Sequence, residues 1–448
     1  MQKNIFKQKT YKHIDKVVDI KDVELKIKNP SYIISHGFYP FLSYTLEFRK
    51  YTEEINEDTK HHWKIKQRPI KYASHIDRCI YQWYSYLLNE KYNSYCNKND
   101  LNNSAIAYRT CLHGKTNIEF ASIAFNFIKK CESCYILVSD FSNFFDFIEH
   151  KKLKGNICKV MGLAELSEDF YKVFRSMTKY SYIEKQDIID YLINKGLETE
   201  DSIKKNNSLF ENISWKEAKK ELKDKIETNK ETYGIPQGSP LSGIFANVYM
   251  IDFDQKANEY AKSKKGLYMR YSDDLIMIIP TNEVNSINDI WDELSKIKKD
   301  YPILKMNISK TSGYLYENNQ IISLHSLVPN MQKGGKIISY LGFSFDGKYI
   351  KFRDKTLTKF FYKFYRKIDG MVFRESIRIK KGIKKHSKID KHRILKELTS
   401  NGESRKFIDY VNRAKRVFKN EKYIVNFRNE AKEKTFVRFE KEKRRIEK

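Results

Sequence analysis

The chain has 448 residues, room for two or three domains or one large enzyme core with additions. A hydrophobic share of 40%, with 31 Tyr and 28 Phe, marks a globular protein and excludes a disordered one. Its 85 Lys+Arg against 57 Asp+Glu give a net charge of +28, a field that attracts polyanions, nucleic acid first.

The charge is concentrated at the end: residues 355–448 carry 31 Lys/Arg against 12 Asp/Glu. The opening Met-Gln-Lys-Asn-Ile-Phe-Lys has no apolar signal core, and no stretch is long and apolar enough to span a bilayer. A cytoplasmic chain without a membrane partner is the expectation. Six cysteines then read as reduced thiols, and Cys131-x-x-Cys134 lacks the second pair that a zinc finger needs.

Residues 1–60 are polar with scattered aromatics and read as a short helical or irregular lead-in. The stretch from His61 to Tyr72 reads as a short strand, with Lys64, Lys66 and Arg68 alternating onto one face. That alternation suits either three aimed cations or an ordinary exposed strand face. Helices are predicted over Ile76–Tyr92 and Ile118–Lys130, separated by a loop with Tyr108-Arg109 and Gly114-Lys115.

Cys134-Tyr-Ile-Leu-Val-Ser-Asp140 is an apolar run of strand length that ends in a carboxylate. Asp140 at that point serves either as a metal ligand presented at a strand end or as a helix N-cap. Helices follow over Leu153–Met161, Glu168–Met177, Lys185–Asn194 and Trp215–Asn229, with a polar loop over Glu198–Asn212.

Gly234-Ile-Pro-Gln-Gly-Ser-Pro240 breaks this pattern. Alternating Gly and Pro define a turn in which glycine permits close backbone approach to a ligand. Leu241, Ile244, Phe245 and Val248 then recur at helical spacing.

Tyr268 to Ile279 places Asp273 and Asp274 in a turn between two β-prone runs. Either the acids are turn residues at an exposed tip, or they form a like-charged pair that needs a cation. A helix is predicted over Val284–Lys299, and short strands over Ile303–Ile308, Gly313–Tyr316 and Ile321–Leu327, with Lys310 in a turn. Ser339–Phe345 reads as one strand, followed by a hairpin through Asp346-Gly347. From Leu357 the text is helical. Phe360, Phe361, Phe364, Tyr365 and Ile368 interleave with Lys359, Lys363, Arg366 and Lys367, which fits contact with a nucleic-acid backbone or a solvated helix face. No internal repeat is evident.

Ser139-Asp140-Phe-Ser-Asn-Phe-Phe-Asp146, Gly234-Ile-Pro-Gln-Gly-Ser-Pro240 and Tyr271-Ser-Asp-Asp274 together resemble the successive palm motifs of reverse transcriptases. Lys310 and Tyr340-Leu-Gly-Phe343 match the next two, and Lys66-x-Arg68 with Asp77-Arg78 resembles the fingers motif, so the resemblance covers roughly residues 61–370. It implies an α+β right-hand polymerase fold. The N-terminal region and fingers would occupy 1–135, a palm 136–355 with a helical fingers insertion near 165–230, and a basic helical thumb 356–448.

The resemblance also implies an RNA-directed DNA polymerase working by two-metal-ion nucleotidyl transfer, with Mg²⁺, or Mn²⁺ as the alternative, as cofactor. Asp140, Asp273 and Asp274, with the backbone carbonyl of Phe141, would hold the metal, and Lys310 would protonate the leaving pyrophosphate. Lys66 (or Lys64) and Arg68 would pair with the triphosphate, and Gln237 and Gly238 would line the nucleotide. Phe145, five residues after Asp140, would lie under the sugar and select dNTPs over rNTPs. Tyr271, Tyr340 and Gly342, with Lys359, Lys363, Arg366 and Lys367, would contact template and primer.

The partners implied are an RNA template, a DNA primer or product, and dNTPs. No RNase H, endonuclease or protease signature is present, which disfavours a retroviral or intron-mobility enzyme. Ser272 replaces the commoner Ala, 97 residues separate Asp140 from Gln237, and there is no Asn-Ala-x-x-His string of the retron kind. The chain thus looks most like the bacterial defence-associated (abortive-infection type) reverse transcriptases, which protect cells against phage and often use a dedicated noncoding RNA. A retron-type enzyme and a template-independent, protein-primed DNA polymerase are the alternatives. A silent RNA-binding relative and an RNA-dependent RNA polymerase complete the field.

Overall fold

The computed structural model describes all residues except 1–4, 7, 57–60, 113, 206–207, 211–213, 325–334, 384–391, 393, 395, 397–401 and 448. The strands, in chain order, are β1 (Phe41–Asn56), β2 (His61–Tyr72), β3 (Ser133–Ser142), β4 (Ser181–Glu184), β5 (Glu227–Thr228), β6 (Leu267–Tyr271), β7 (Asp274–Pro280), β8 (Lys305–Met306), β9 (Ser312–Glu317), β10 (Gln320–Ser323), β11 (Ile338–Tyr340), β12 (Phe343–Phe345) and β13 (Ile350–Phe352). Helices and sheets mix as the α+β reading expects. The chain divides into two compact units, one of Met1–Leu112, Phe141–Ala257 and Lys296–Met306, the other of His113–Asp140, Asn258–Ser295 and Asn307–Lys448.

The first unit contains a four-stranded sheet in the order β2-β1-β4-β5. The lead-in is more ordered than its composition suggests. Helices Ile20–Ile27 and Pro30–Ser35 precede β1, a 16-residue strand that pairs antiparallel with β2. Asp77 fastens this lead-in: buried at the start of helix His75–Lys98, it accepts from His36 Nε2 at 2.7 Å and from the Tyr39 amide at 2.9 Å. Arg78 is buried beside it, so these two residues act as internal fastenings.

Two helical expectations need correction here. The helix expected over Trp215–Asn229 stops at Glu221, and Glu227–Thr228 pairs with β4 instead. Asn229 donates to the Thr178 and Tyr233 carbonyls, at 2.9 and 3.0 Å, which draws the chain out of helix. The polar stretch expected to be a loop contains helix Glu200–Lys205, because Ile203 is buried in the core cluster of Leu42, Ile183, Ile188 and Leu192.

The second unit is organised on the antiparallel order β10-β9-β3-β7-β6. β3 is central, flanked by β7 and β9, which explains why Ile136 and Leu137 are wholly buried. Its last two residues, Phe141 and Ser142, belong to the first unit and pair with β8. Helix Asn117–Lys130 opens on a capping box between Thr116 and Glu119.

The strand expected over Ser339–Phe345 is two strands, β11 and β12, joined by a turn. Leu341 and Gly342 both take positive φ, 46° and 90°, and this reverses the chain. The strand expected over Ile303–Ile308 shrinks to β8, since Ile308–Lys310 winds into a 3-10 turn. Of the strand expected over Ile321–Leu327, residues 325–327 lie outside the described residues. Helix Asp354–Lys380 buries Phe360, Phe364 and Ile368 on one face and is followed by helices Gly402–Val417 and Phe427–Glu447. No helix among the described residues is long and apolar enough to cross a membrane.

Candidate active site

β3 and β7 pair in a register that sets Asp140 directly opposite Asp274. β6 and β7 form a hairpin whose turn holds Ser272 and Asp273, closed by the Tyr271–Asp274 pair. Ser272 adopts φ +61°, a region that favours glycine, so the turn needs support. Arg270 gives it: fully buried, it donates through Nη1 to the Ser272 carbonyl at 2.7 Å. One carboxylate oxygen from each of Asp140, Asp273 and Asp274 lies within 4.8 Å of the others.

The carboxylates differ in surroundings. Asp140 is shielded, with 13% side-chain exposure, and its Oδ2 accepts from Lys310 Nζ. Its other oxygen, Oδ1, is buried with no hydrogen-bond partner. The strand itself places the lysine. The Asn307 amide donates to the Asp140 carbonyl at 2.8 Å, and the Lys310 amide donates to the Asn307 carbonyl at 2.9 Å, winding the turn back over the acid. Ser139 and Thr311 share a hydroxyl hydrogen bond at 2.7 Å.

Asp274 reaches solvent yet is densely surrounded. Burial first, then the charges of Asp273 and Asp140, push its carboxyl up to about 6, against the opposing pull of Lys310 and Arg353. A cavity of about 360 Å³ adjoins these groups, lined among others by Asp140, Asp274, Lys310, Tyr314, Ser339 and Arg353.

The donor set fits a hard divalent cation: three clustered carboxylates, with an orphaned buried oxygen on Asp140 that an ion would satisfy. Without an ion, a raised Asp274 makes native stability pH-dependent. The folded state holds a proton that the unfolded chain has already lost. This contribution is therefore full below the ordinary carboxylate value and disappears as pH rises through about 6. The Tm of metal-free protein should fall between about pH 5 and about pH 7 more than that of Asp274→Asn, and Mg²⁺ should reverse the fall. Parallel profiles for the two proteins would contradict this.

The Pro-Gln-Gly-Ser-Pro turn lies in the first unit, and its glycines are sterically required. Gly238 has φ +130°, and a Cβ there would sit 2.7 Å from the Lys71 carbonyl oxygen. Gly234, at φ +88°, would bring a Cβ to 3.2 Å from the Asp146 oxygen. The turn is tied on both sides: the Lys71 amide donates to Gln237 O at 3.0 Å, and the Ile235 amide donates to Phe145 O at 2.9 Å. His150 Nε2 adds a bond to the Gly234 carbonyl at 2.8 Å. Gly238→Ala should cost about 1–3 kcal/mol in a denaturant titration, from strained backbone and the clash with Lys71.

The structure thus brings Asp140, Asp273, Asp274 and Lys310 together in one unit, with Tyr271 closing the hairpin. In the other, Gln237 and Gly238 join Phe145 and the end of β2, which carries the exposed Lys66 and Arg68. Phe141 follows Asp140 in β3, with its ring buried against Phe144 and Phe253. Tyr340 departs from expectation: its ring is 2% exposed, so its side chain is part of the core and not a surface for nucleic acid. Gly342 lies in the β11–β12 turn. Lys359, Lys363 and Arg366 are exposed on their helix, and Lys367 is half-buried.

Sequence reasoning missed Arg270 and Arg353. A cation inside the apolar Tyr-Met-Arg-Tyr run was a usable signal, because a charge in a buried strand is unusual. Lys71 was also missed; it lies 4.5 Å from the Tyr182 ring centroid.

The antiparallel sheet gathers three carboxylates and a lysine, with Asp140, Asp274 and Lys310 lining one cavity, a donor set suited to a divalent cation. The family model described as Reverse transcriptase (RNA-dependent DNA polymerase) matches residues 59–345, and the chain belongs to this family. The family's description names RNA-dependent DNA polymerase activity, and the three clustered carboxylates could hold a divalent metal ion. Among curated proteins none matches it in sequence.

Among solved structures, apo telomerase from Candida tropicalis, truncated from its C-terminal domain, is similar at 15% identity and a TM-score of 0.41, covering 65% of this chain and 53% of that one. Telomerase from Candida albicans in complex with a fragment of telomeric RNA is similar at 13% identity and a TM-score of 0.37, covering 94% and 62%. The chain spans less than two thirds of the length of either.

Proposed function

We propose that the chain makes DNA from dNTPs on an RNA template, with Mg²⁺ at Asp140, Asp273 and Asp274, in bacterial defence against phage and on a dedicated noncoding RNA. The observation that carries the chemistry is the acidic cluster with the unsatisfied Asp140 Oδ1. Asp140, Asp273 and Asp274 would hold a divalent ion, with the Phe141 carbonyl as a further ligand, and the ion would supply charge stabilisation to an in-line displacement at phosphorus. The primer 3′-hydroxyl gives up its proton to solvent, and its oxygen bonds to the α-phosphorus as the bond from that phosphorus to the α–β bridging oxygen breaks. Lys310 delivers a proton to the departing pyrophosphate. Lys66 and Arg68 pair with the triphosphate, and Gln237 and Gly238 line the nucleotide, on the strength of their motifs.

Tyr271, Gly342, Lys359, Lys363, Arg366 and Lys367 hold template and primer. The +28 charge supports a polyanionic partner, and the Ser-containing Tyr-Ser-Asp-Asp motif supports the defence-associated type.

Lys310→Gln should lower kcat about 10²-fold or more and remove a basic limb from the pH–rate profile, as loss of a general acid does. A profile that keeps its limb would assign Lys310 to holding Asp140 alone.

The test of the whole reading is purification from the host with sequencing of the co-purifying RNA, then addition of Mg²⁺ and labelled dNTPs. DNA copied from one abundant RNA supports it, together with loss of phage protection in an Asp273→Asn strain. DNA made with no RNA present would favour untemplated, protein-primed synthesis instead.

A further inference from the structure

We propose that Cys131 and Cys134 form a thiol–disulfide exchange site, which takes small-molecule disulfides and closes into an intramolecular bridge. Of the six thiols, Cys79, Cys96, Cys134 and Cys158 are buried, and only Cys111 and Cys131 reach the surface in part. These two differ in what lies against them. Cys111 accepts from the Arg109 guanidinium at 3.4 Å, whereas Cys131 has the thiol of Cys134 as its donor.

The local fold brings the pair together. Helix Asn117–Lys130 stops at Cys131, which turns extended at φ −77° and ψ 140°. The amide and the thiol of Cys131 both donate back to the Phe127 carbonyl, each at 3.3 Å. The chain bends at Glu132 and enters β3 at Ser133, so Cys134 is the second residue of the strand. There it is fully buried, opposite Pro280 of β7 and Tyr316 of β9. Burial first, then the charges of Cys134 and Cys131, push the Tyr316 phenol up, so both sulfurs lie close to it. Thiols already in contact need little backbone movement to reach the geometry of a bridge.

Position divides the roles. Cys131 is the nucleophile: it is reachable, and the hydrogen bond from Cys134 favours its thiolate, holding the thiol below its ordinary value. It attacks one sulfur of a disulfide R–S–S–R, that S–S bond breaks, and one R–S⁻ leaves and takes a proton from water. Cys134 then resolves the mixed disulfide. Its own thiol stands above its ordinary value, first through the hydrogen bond to Cys131 and then through burial. Mixed-disulfide formation abolishes the Cys131 charge, which frees Cys134 to give its proton to solvent. The Cys134 thiolate attacks the Cys131 sulfur and expels the second R–S⁻, which is protonated in turn. Two cysteine thiols are oxidised, and the small disulfide is reduced to two thiols. Asp140 lies six residues further along β3, about 20 Å away at strand spacing, so the bridge fastens the far end of that strand.

The test treats the reduced full chain with oxidised glutathione, then reads intact mass and alkylated peptide maps. The wild type should lose two hydrogens at this site, in a cross-link joining Cys131 to Cys134, and dithiothreitol should restore them. Cys134→Ser removes the resolving thiol and should raise the glutathione retained on Cys131 about tenfold or more. Cys131→Ser should leave the buried Cys134 unmodified, and Cys111→Ser should leave the bridge unchanged. Melting of each reduced variant reports its folding, and the wild-type peptide map decides the matter even where a variant does not fold.

A wild-type chain whose Cys131 stays reduced, or keeps glutathione without closing a bridge, would overturn the proposal. So would a cross-link that joins a different pair, or a folded Cys134→Ser that retains no more glutathione on Cys131 than the wild type does.

Discussion

Asp273→Asn is expected to stop DNA synthesis, by about 10³-fold or more, while RNA binding and the fold persist. A metal clamp contributes several kcal/mol to the transition state, and each 1.36 kcal/mol is a factor of ten in rate. The variant keeps the size of the side chain and removes one of three charges that crowd within 4.8 Å. Relief of that repulsion should raise the melting temperature of the metal-free protein, so activity and stability move in opposite directions. Asp140→Asn should lose as much activity. Its side chain is the most enclosed, and the amide would leave Lys310 facing a weaker acceptor. Primer extension alongside RNA-binding anisotropy separates the possibilities. Synthesis that survives in Asp273→Asn would place the chemistry elsewhere, and a joint loss of binding and melting temperature would mean that the acid supports the fold.

The acidic site was legible because its information is local. Asp140 closes a run, Cys134 to Ser139, apolar enough to demand a central strand, and Asp273-Asp274 sit between two such runs. The stripe Leu241, Ile244, Phe245 and Val248 is likewise local, and all four are buried. What stayed hidden depends on partners distant in sequence. β1 carries Glu47 and Arg49 and reads as polar lead-in; only pairing with β2 makes it a strand. β5 exists because β4 lies beside it, some 45 residues earlier. The break at Leu341 is a backbone effect, since a non-glycine residue takes positive φ before Gly342 and turns an apolar run into a hairpin. Lys310 is recognisable by motif, but its contact with Asp140 spans 170 positions and follows from the Asn307–Asp140 backbone bond, which no spacing announces. Arg353 is a single charge between a strand and a helix until Asp274 is placed near it.

Phe145→Ala is expected to lower discrimination between dNTPs and rNTPs by about 10- to 100-fold, with a smaller effect on dNTP incorporation itself. The argument turns on rigidity as much as size. A ring that could swing aside would not exclude a 2′-hydroxyl, and several contacts hold this one. The Phe145 carbonyl accepts from the Ile235 amide, which ties its backbone to the Pro-Gln-Gly-Ser-Pro turn. Its ring packs at 5.7 Å, tilted by 60°, on Phe144, which is buried and stacked on Phe141 at 5.7 Å. Removing the ring leaves this support in place and deletes only the obstruction, so ribonucleotides should gain while the fold holds. If Phe145 were a packing residue alone, both substrates would suffer equally and their ratio of kcat/KM would stay fixed. The ratio is therefore the quantity to measure, in single-nucleotide extension with matched dNTP and rNTP. An unchanged ratio would remove the sugar gate from the mechanism, and efficient ribonucleotide use by the wild type would make the chain an RNA-synthesising polymerase whose Phe145 serves another purpose.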